Sequence, residues 1–279
     1  LFGTASISWD SWAYLEGTVR QEKISTLAPG HNSFFYPSIN GSVIISELLK
    51  DNKPTWLDYG KFRVSYGIVG NAPAIYKSTV AYNQDAASGY VYNQIPVEVG
   101  NLTIEPEKKY EWEFGLEGKF LNNRLGFEMS YYTNTVKDQI LDTTMPISSG
   151  GSKILLNIGE LKNQGLELSV YGTPIETKDW HWDLRANIGW NKNEVTKLTD
   201  GVNELTHKNW DNGSMYLRSY VGQSMGDLYS LAPQKDANGN FIITESGFYK
   251  LTEEPVKVGN VMPDMTGGFA TSLGYKNVF

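Results

Sequence analysis

Residues 110–136 constrain the fold more than any other part of the chain. Aromatic and aliphatic residues alternate with carboxylates and glycines in two arms, residues 110–120 and 125–136, on either side of a polar Asn-Asn-Arg turn. Side chains of a strand point alternately to its two faces, so each arm has one apolar and one polar face. Arms of about ten residues or more exceed the usual strand length in soluble proteins and are typical of a membrane barrel.

The same alternation predicts strands elsewhere, and residues 180–190 show it most cleanly. The predicted strands cover residues 4–20, 40–48, 61–69, 154–171, 180–190 and 265–275. We interpret residues 4–20 as one strand, broken midway at Asp10-Ser11, and residues 137–153 as a loop. Short and long connections alternate, which puts every long connection at the same end of an antiparallel sheet. The prediction is an all-β chain: an antiparallel transmembrane β-barrel segment of about eight strands with long extracellular loops.

Composition narrows the possible partners. The chain has 24 basic and 31 acidic residues, and its net charge of -7 argues against nucleic acid as a partner. It has no cysteine, so neither a disulfide nor a thiolate metal site is possible. The longest apolar run is too short for a transmembrane helix.

Enzyme chemistry finds little support in the residue pattern. The histidines His31, His181 and His207 do not have the spacing of a metal or catalytic motif. We therefore predict that the protein is not an enzyme, and we predict no catalytic residue, metal site or cofactor. Glu111, Glu113 and the neighbouring Glu117 alternate on one strand and are interpreted as a hydrated wall rather than as acid/base groups.

Residues 236–240, Asp-Ala-Asn-Gly-Asn, admit two interpretations. They resemble the opening of a calcium loop, but an EF-hand needs glycine where Phe241 stands and a carboxylate where Gly247 stands. The Asn-Gly pair between alternating segments favours a hairpin turn instead.

Two groups of aromatic residues are candidates for a membrane-interface role and for a binding role. One group lies near strand ends, where it predicts interfacial girdles, the alternative being packing against a second sheet: Trp9, Trp12, Tyr131, Tyr132, Trp180 and Trp190. The other group lies on long loops, where the rings could stack on sugars or contact peptide side chains, the alternative being mutual packing of the loops: Tyr90, Tyr92, Trp210, Tyr216 and Tyr229.

Five segments in the same order resemble the SusC/RagA-like family of TonB-dependent outer-membrane transporters. The first three are residues 35–38 (Phe-Tyr-Pro-Ser), residues 61–71 (KFRVSYGIVGN) and residues 157–168, whose motif residues are Asn157, Gly159, Asn163, Gly165 and Glu167. The other two are residues 221–226, with Gly222, and residues 263–268, with Pro263 and Gly267. The resemblance implies that these motif residues are structural.

The resemblance also implies a function. Residues 1–279 would be part of a single barrel domain, roughly the later middle of a larger chain with about 22 strands in all. The family's plug domain and its TonB-contacting box have no counterpart in this sequence. The implied activity is TonB-dependent import of bulky nutrients, oligosaccharides or peptides, across the outer membrane of a Gram-negative bacterium. The implied partners are a SusD-like surface lipoprotein, the TonB-ExbB-ExbD complex through the plug, and outer-membrane lipid.

Other functions remain open at this point. The alternative from another class is a secreted soluble β-sheet module for carbohydrate binding or adhesion. Such a module would bury Trp182, Leu184 and Ile188 under a second sheet, whereas a barrel would leave them facing lipid. A passive porin-like pore is the third possibility. We also expect the segment to be unstable alone, because an open arc has two long unpaired edges.

Overall fold

The computed structural model describes residues 1–79, 82–94, 97–210 and 213–276. The described residues are mostly strand, with a single α-helix, α1 (Ile45–Leu49). None of the described helices is long and apolar enough to cross a membrane. In chain order the strands are β1 (Phe2–Trp9), β2 (Ala13–Lys23), β3 (Ser33–Ile44), β4 (Leu57–Asn71), β5 (Asn83–Ala87), β6 (Tyr90–Gln94), β7 (Glu98–Val99), β8 (Glu107–Phe120), β9 (Leu125–Thr144), β10 (Lys153–Glu176), β11 (Trp180–Lys197), β12 (Glu204–Trp210), β13 (Met215–Tyr220), β14 (Asp227–Ser230), β15 (Val256–Asn260) and β16 (Met265–Tyr275).

Nine strands form one antiparallel sheet, here called the wall sheet. Its strand order is β1-β2-β3-β4-β8-β9-β10-β11-β16, and β7 adds a short parallel pairing to β10. Strands β12–β15 form a separate four-stranded sheet, here called the loop sheet, and β5 and β6 form a hairpin. The predicted all-β, antiparallel architecture is confirmed.

The prediction of a single strand over residues 4–20 is wrong. β1 and β2 form a hairpin in which Phe2 pairs with Arg20 and Trp9 with Ala13. Asp10 and Ser11 both have positive φ (43° and 61°), the conformation that tight hairpin turns require. This turn raises the wall from about eight predicted strands to nine.

About half of the predicted loop over residues 137–153 is strand instead. β9 continues to Thr144 and β10 already begins at Lys153, with Asp138 (φ 56°) marking an irregularity in the ladder. The connections at one end of the wall sheet are residues 24–32, 72–106, 145–152 and 198–264, and those at the other end are 10–12, 45–56, 121–124 and 177–179. The two longest connections share one end, as predicted, and they contain the β5–β6 hairpin and the loop sheet. The predicted alternation of short and long connections fails elsewhere, because residues 24–32 and 145–152 at that end are shorter connections than residues 45–56 at the other.

The apolar face of the wall sheet is uncovered within the described residues. Trp112 is 47% exposed and Phe269 is 70% exposed, and Trp182, Leu184 and Ile188 are not buried. A soluble sandwich would cover this face with a second layer. Unburied Trp182, Leu184 and Ile188 are what the sequence predicts for a barrel rather than for a soluble module.

The buried apolar residues gather at the end with the longest connections. One cluster contains Leu27, Phe34, Ile104 and Leu155, and a second contains Leu141, Val195, Leu198 and Leu205. Both clusters combine wall strands with loop residues, so the long connections pack against the sheet.

Candidate functional site

The polar face of β8–β11 carries hydrogen-bonded side chains that are in register across four strands. Glu111, Asn134, Asn163 and Asn193 occupy paired positions on β8, β9, β10 and β11. The Asn134 amide donates to Glu111 Oε2 at 2.9 Å, and the Asn163 amide donates to Asn134 Oδ1 at 3.0 Å. Asn134 and Asn193 are buried. These hydrogen bonds link the predicted motif residue Asn163 to β9 and, through Asn134, to β8.

In the next row of the polar face, a tyrosine side chain extends over a glycine on the neighbouring strand and contacts the strand beyond it. Tyr132 on β9 pairs with Gly165 on β10, which pairs with Asn191 on β11. The Tyr132 hydroxyl donates to Asn191 Oδ1 at 3.0 Å. A Cβ on Gly165 would lie 2.4 Å from Tyr132 Cζ and 2.7 Å from the Trp190 carbonyl oxygen. Glycine is therefore required at residue 165 because the ring occupies the space of its side chain. Tyr132 lies on the polar face, so its interpretation as an outward girdle residue is wrong.

Arg63 on β4 makes the same kind of crossing. It pairs with Gly115 on β8, and its Nη2 donates to Ser130 Oγ on β9 at 2.7 Å. A Cβ on Gly115 would lie 2.3 Å from Arg63 Nε. The side chain of Arg63 thus ties three consecutive strands together.

The Arg63 guanidinium also joins three carboxylates. Nη1 donates to Glu117 Oε1 at 2.7 Å and to Glu128 Oε1 at 3.2 Å, while Nη2 donates to Glu113 Oε1 at 3.2 Å. A planar guanidinium with five N–H donors can serve several acceptors at once, which a lysine cannot do in this geometry. Two of the three predicted wall glutamates, Glu113 and Glu117, are therefore bound to one cation.

A cavity of about 660 Å³ opens along this face. Its lining includes Glu111, Glu113, Glu128 and Glu167 together with the cations Arg63 and Lys109. Carboxylates outnumber cations here, so the surface is acidic and rich in hydrogen-bond acceptors. Such a surface can bind water and polar solutes, and it agrees with the predicted hydrated wall.

The motif at residues 221–226 attaches the loop region to β11. Gly222 N donates to Val195 O, and Val195 N donates to Gln223 O, both at 2.8 Å. Asn193 Oδ1 accepts from Met225 N at 2.6 Å and from Ser224 Oγ at 3.0 Å. The motif therefore bonds to the backbone of β11 at Val195 and to the side chain of Asn193 on the polar face.

The remaining motif residues lie in the wall sheet or in the connections between its strands. Asn157 accepts from Glu105 N at 2.9 Å and donates to the carbonyl oxygens of Glu105 and Asp138. Gly159 lies at a register shift between β9 and β10. Gly267 pairs with Ile188 near the start of β16, and Pro263 lies in the connection just before that strand.

The structure places the predicted loop aromatics in two groups. Tyr90 and Tyr92 are exposed on the β5–β6 hairpin, where the Tyr92 hydroxyl donates to Asp85 Oδ2 at 3.2 Å. Trp210, Tyr216 and Tyr229 belong to the loop sheet, and Tyr216 pairs with Tyr229.

The three aromatics of the loop sheet already have partners. Lys208 lies over the Trp210 ring and Arg218 over the Tyr216 ring, with 4.9 Å and 4.0 Å to the ring centroids. Tyr229 is buried, and its hydroxyl donates to Gln223 Oε1 at 2.9 Å. Burial raises the pKa of this hydroxyl. These contacts favour packing for Tyr229, and substrate binding by the five aromatics stays a prediction.

The segment 236–240 forms the hairpin turn that the sequence favours. Asp236 N donates to Asn240 O at 2.8 Å, and Gly239 has φ +87°. Asp236 Oδ1 accepts from the backbone N–H groups of Asn238 and Asn240, and these bonds lower the pKa of the carboxyl. The carboxylate therefore closes the turn.

His207 is expected to make the stability of the loop sheet depend on pH. It lies at a bulge between β12 and β13, its Nε2 is 2.8 Å from the Oγ of buried Ser219, and burial lowers its pKa. The folded sheet therefore favours neutral histidine. We expect this contribution to stability to be complete above about pH 6.5 and to be lost as the pH falls through the lowered pKa. This change in stability can be measured by hydrogen exchange of the β12 and β13 amides in the full-length protein, after correction for intrinsic exchange rates.

The matched variant for that measurement is His207→Gln. Glutamine keeps a polar contact to Ser219 but does not titrate, so protection of β12 and β13 should no longer depend on pH in this range. An unchanged pH dependence in the variant would assign the effect to another group.

Sequence reasoning did not identify Arg63, Tyr132 or Asn193 as the residues that organise the polar face. Arg63 stands in the quoted segment KFRVSYGIVGN, on the polar side of its alternation, and Tyr132 alternates onto the acidic side of its arm. A large polar residue facing a glycine on the neighbouring strand was the available signal. This signal can be used only when the pairing of residues between neighbouring strands is known.

An antiparallel wall with one exposed apolar face and one hydrogen-bonded polar face defines the chain as a segment of a transmembrane β-barrel. Residues 1–251 match the family model described as TonB dependent receptor-like, beta-barrel, and the chain belongs to that family. Within the family it is a SusC/RagA-like segment, as the sequence motifs predicted.

The relatives agree with this assignment. TonB-dependent receptor P3 of Formosa agariphila is 27% identical over 99% of this chain and 30% of its own length. TonB-dependent receptor SusC of Bacteroides thetaiotaomicron is 33% identical over 50% of this chain and 15% of its own length. The solved RagAB peptide transporter superposes with a TM-score of 0.81 at 26% identity, covering 99% of this chain and 31% of that one. The chain thus spans about 30% of the length of the first relatives it matches.

Proposed function

We propose that the parent protein imports bulky nutrients across the outer membrane of a Gram-negative bacterium, with energy from the TonB-ExbB-ExbD complex. The observation that carries this proposal is the two-faced wall sheet, apolar on one side and acidic and hydrogen-bonded on the other. In this proposal residues 1–279 are part of a single barrel domain, and the plug lies outside the segment. The segment acts by lining and shaping a passage rather than by catalysis.

The proposed substrate is an oligosaccharide or a peptide, and the proposed partner is a SusD-like surface lipoprotein at the end with the long connections. The matched transporter whose title names peptides supports the peptide possibility. The match to SusC supports a lipoprotein partner of the SusD type. The exposed rings of Tyr90 and Tyr92 lie on a connection at that end, where they could meet an incoming solute.

Fractionation and uptake test the proposal together. The full-length protein should be recovered in the outer membrane and should migrate faster on a gel before boiling than after it. A strain without the protein should lose uptake of the peptide or oligosaccharide that it supports, and the lipoprotein partner should co-purify in detergent. A protein that stays soluble without detergent and migrates identically before and after boiling would contradict the barrel and the import function.

A further inference from the structure

The apolar face of β8–β11 gives way to lysines toward the end with the long connections. Phe114, Tyr131, Leu166 and Trp190 form one row, paired in register across these four strands. Beyond that row, the same face carries Lys137 on β9, Lys162 on β10 and Lys192 on β11. The Lys137 ammonium lies 5.8 Å from the centroid of the outward Tyr110 ring, which agrees with its position on this face.

These three lysines form a compact basic surface. Lys192 stands two residues beyond Trp190 and pairs with Gln164, while Lys162 pairs with Thr135 on β9 and with Glu194 on β11. Adjacent strands are about 4.8 Å apart, so neighbouring lysines, Lys137 with Lys162 and Lys162 with Lys192, can bind one headgroup together. All three side chains are exposed, and none forms an ion pair with a carboxylate of the described residues. Glu194 offsets part of the positive charge.

Beside Lys192, at the free edge of β11, lies a groove of about 890 Å³ whose lining includes outward residues and also Asn191 and Asn193 of the polar face. Its apolar floor is formed by Tyr131, Leu166 and Trp190, and Lys192 lines the groove beyond this floor. The groove exists because β16 pairs with β11 only as far as Trp190, whereas β11 continues to Lys197. Residues 222–224 and 257–264 form the other sides, and the lining also includes the acidic residues Glu194 and Asp264.

A second lysine of the groove is already neutralised. Lys257 Nζ lies 2.7 Å from Oδ1 of buried Asp227, so this ammonium holds the loop sheet together. Lys192 is the groove lysine that remains available to an external anion. An apolar floor next to an available cation matches an amphiphile that has acyl chains at one end and a negative charge at the other.

We propose that this surface, from Lys137 and Lys162 to the groove beside Lys192, binds a phosphate-bearing anionic lipid of the surrounding membrane. The acyl chains lie against Leu166 and Trp190, and the lysines bind the phosphate. The inference rests on the proposed function in so far as the wall sheet must span a membrane. It adds a lipid site on the outer surface of the barrel.

The test uses full-length protein in neutral detergent whose folded form is first established by heat-modifiable gel mobility. Native mass spectrometry then counts bound phosphatidylglycerol and, separately, zwitterionic phosphatidylcholine. We expect phosphatidylglycerol to bind more tightly and the combined variant Lys137→Gln, Lys162→Gln, Lys192→Gln to lose about a hundredfold in affinity, about fivefold for each lysine. The matched control Lys53→Gln, Lys178→Gln, Lys235→Gln removes the same charge elsewhere and should bind like the wild type.

Each other outcome has one meaning. Equal binding of the two lipids by the wild type, or equal loss in the two triple variants, overturns the lipid site while leaving the import function intact. Displacement of bound lipid by an equal concentration of free glycerol phosphate would show that the surface recognises a phosphate rather than a lipid, which also overturns the proposal. If the basic variant fails to fold, the comparison of the two lipids on the wild type decides. A wild-type protein without a heat-modifiable form contradicts the proposed function itself.

Discussion

Replacing Arg63 by glutamine is expected to destabilise the folded barrel by about 2 kcal/mol. The change leaves Glu113, Glu117 and Glu128 without their shared cation and removes the bond to Ser130. Removing one partner of a fully buried ion pair costs about 3–5 kcal/mol, and the partial exposure of this cluster reduces that cost. Glu128, for example, is 55% exposed. Urea unfolding of the full-length protein, followed by the loss of the heat-modifiable form, measures the difference.

Three further variants make that prediction specific. Arg63→Lys keeps the charge but loses the forked geometry, so an intermediate loss is expected. Adding Glu117→Gln and Glu128→Gln to Arg63→Gln should recover part of the stability, because the repulsion between carboxylates disappears. Arg20→Gln is the control: Arg20 is 63% exposed in its pair with Glu22, and its loss should change stability by less than about 0.5 kcal/mol. Equal effects of Arg63→Gln and Arg20→Gln would contradict the role of Arg63.

Gly165→Ala is expected to cost about 1–3 kcal/mol, the range for overpacking a filled site. The new methyl group would lie 2.4 Å from Tyr132 Cζ and 2.7 Å from the backbone oxygen of Trp190. The ring can move away from the methyl group, but it then loses its bond to Asn191, whereas the backbone oxygen moves only with β11. The same urea measurement reports the effect.

The matched glycine for this comparison is Gly189 on β11. A Cβ there would meet Thr266 Oγ1 at 3.6 Å and Glu167 Cγ at 3.8 Å, which are ordinary contacts. Gly189→Ala should therefore be neutral or slightly stabilising, since alanine restricts the unfolded chain. Tyr132→Ala combined with Gly165→Ala should cost less than the sum of the single changes, because the clash with the ring is then absent. Equal losses for Gly165→Ala and Gly189→Ala would show that the crossing by Tyr132 is unimportant.

Where the sequence was misread, the cause was local geometry. The period-two alternation shifts by one residue at Asp10-Ser11, from Ile7 and Trp9 to Trp12 and Tyr14, so a turn of positive φ was interpreted as an irregularity in one strand. The strand predicted to end at residue 136 continues to Thr144, because the polar and β-branched residues that follow residue 136 also suit a strand. In both places the alternation was present, but it did not show where the chain reverses.

What the sequence by itself determined was the two-faced character of the wall. The alternation in residues 110–136 and 180–190 assigns each side chain to a face, because strand geometry alone dictates that period. The sorting of the longest connections to one end follows from antiparallel pairing in the same way. Both are local consequences of residue order.

Only the tertiary structure decided which side chains meet across the wall. Arg63 and Ser130, or Tyr132 and Asn191, are far apart in the chain, and in each case a glycine on the intervening strand lets them touch. Which glycine faces which side chain depends on the register of neighbouring strands. A shift of one residue in that register would exchange the two faces of a strand. Register arises from hydrogen bonds and packing between distant segments, so it is a property of the folded sheet rather than of any single stretch of sequence.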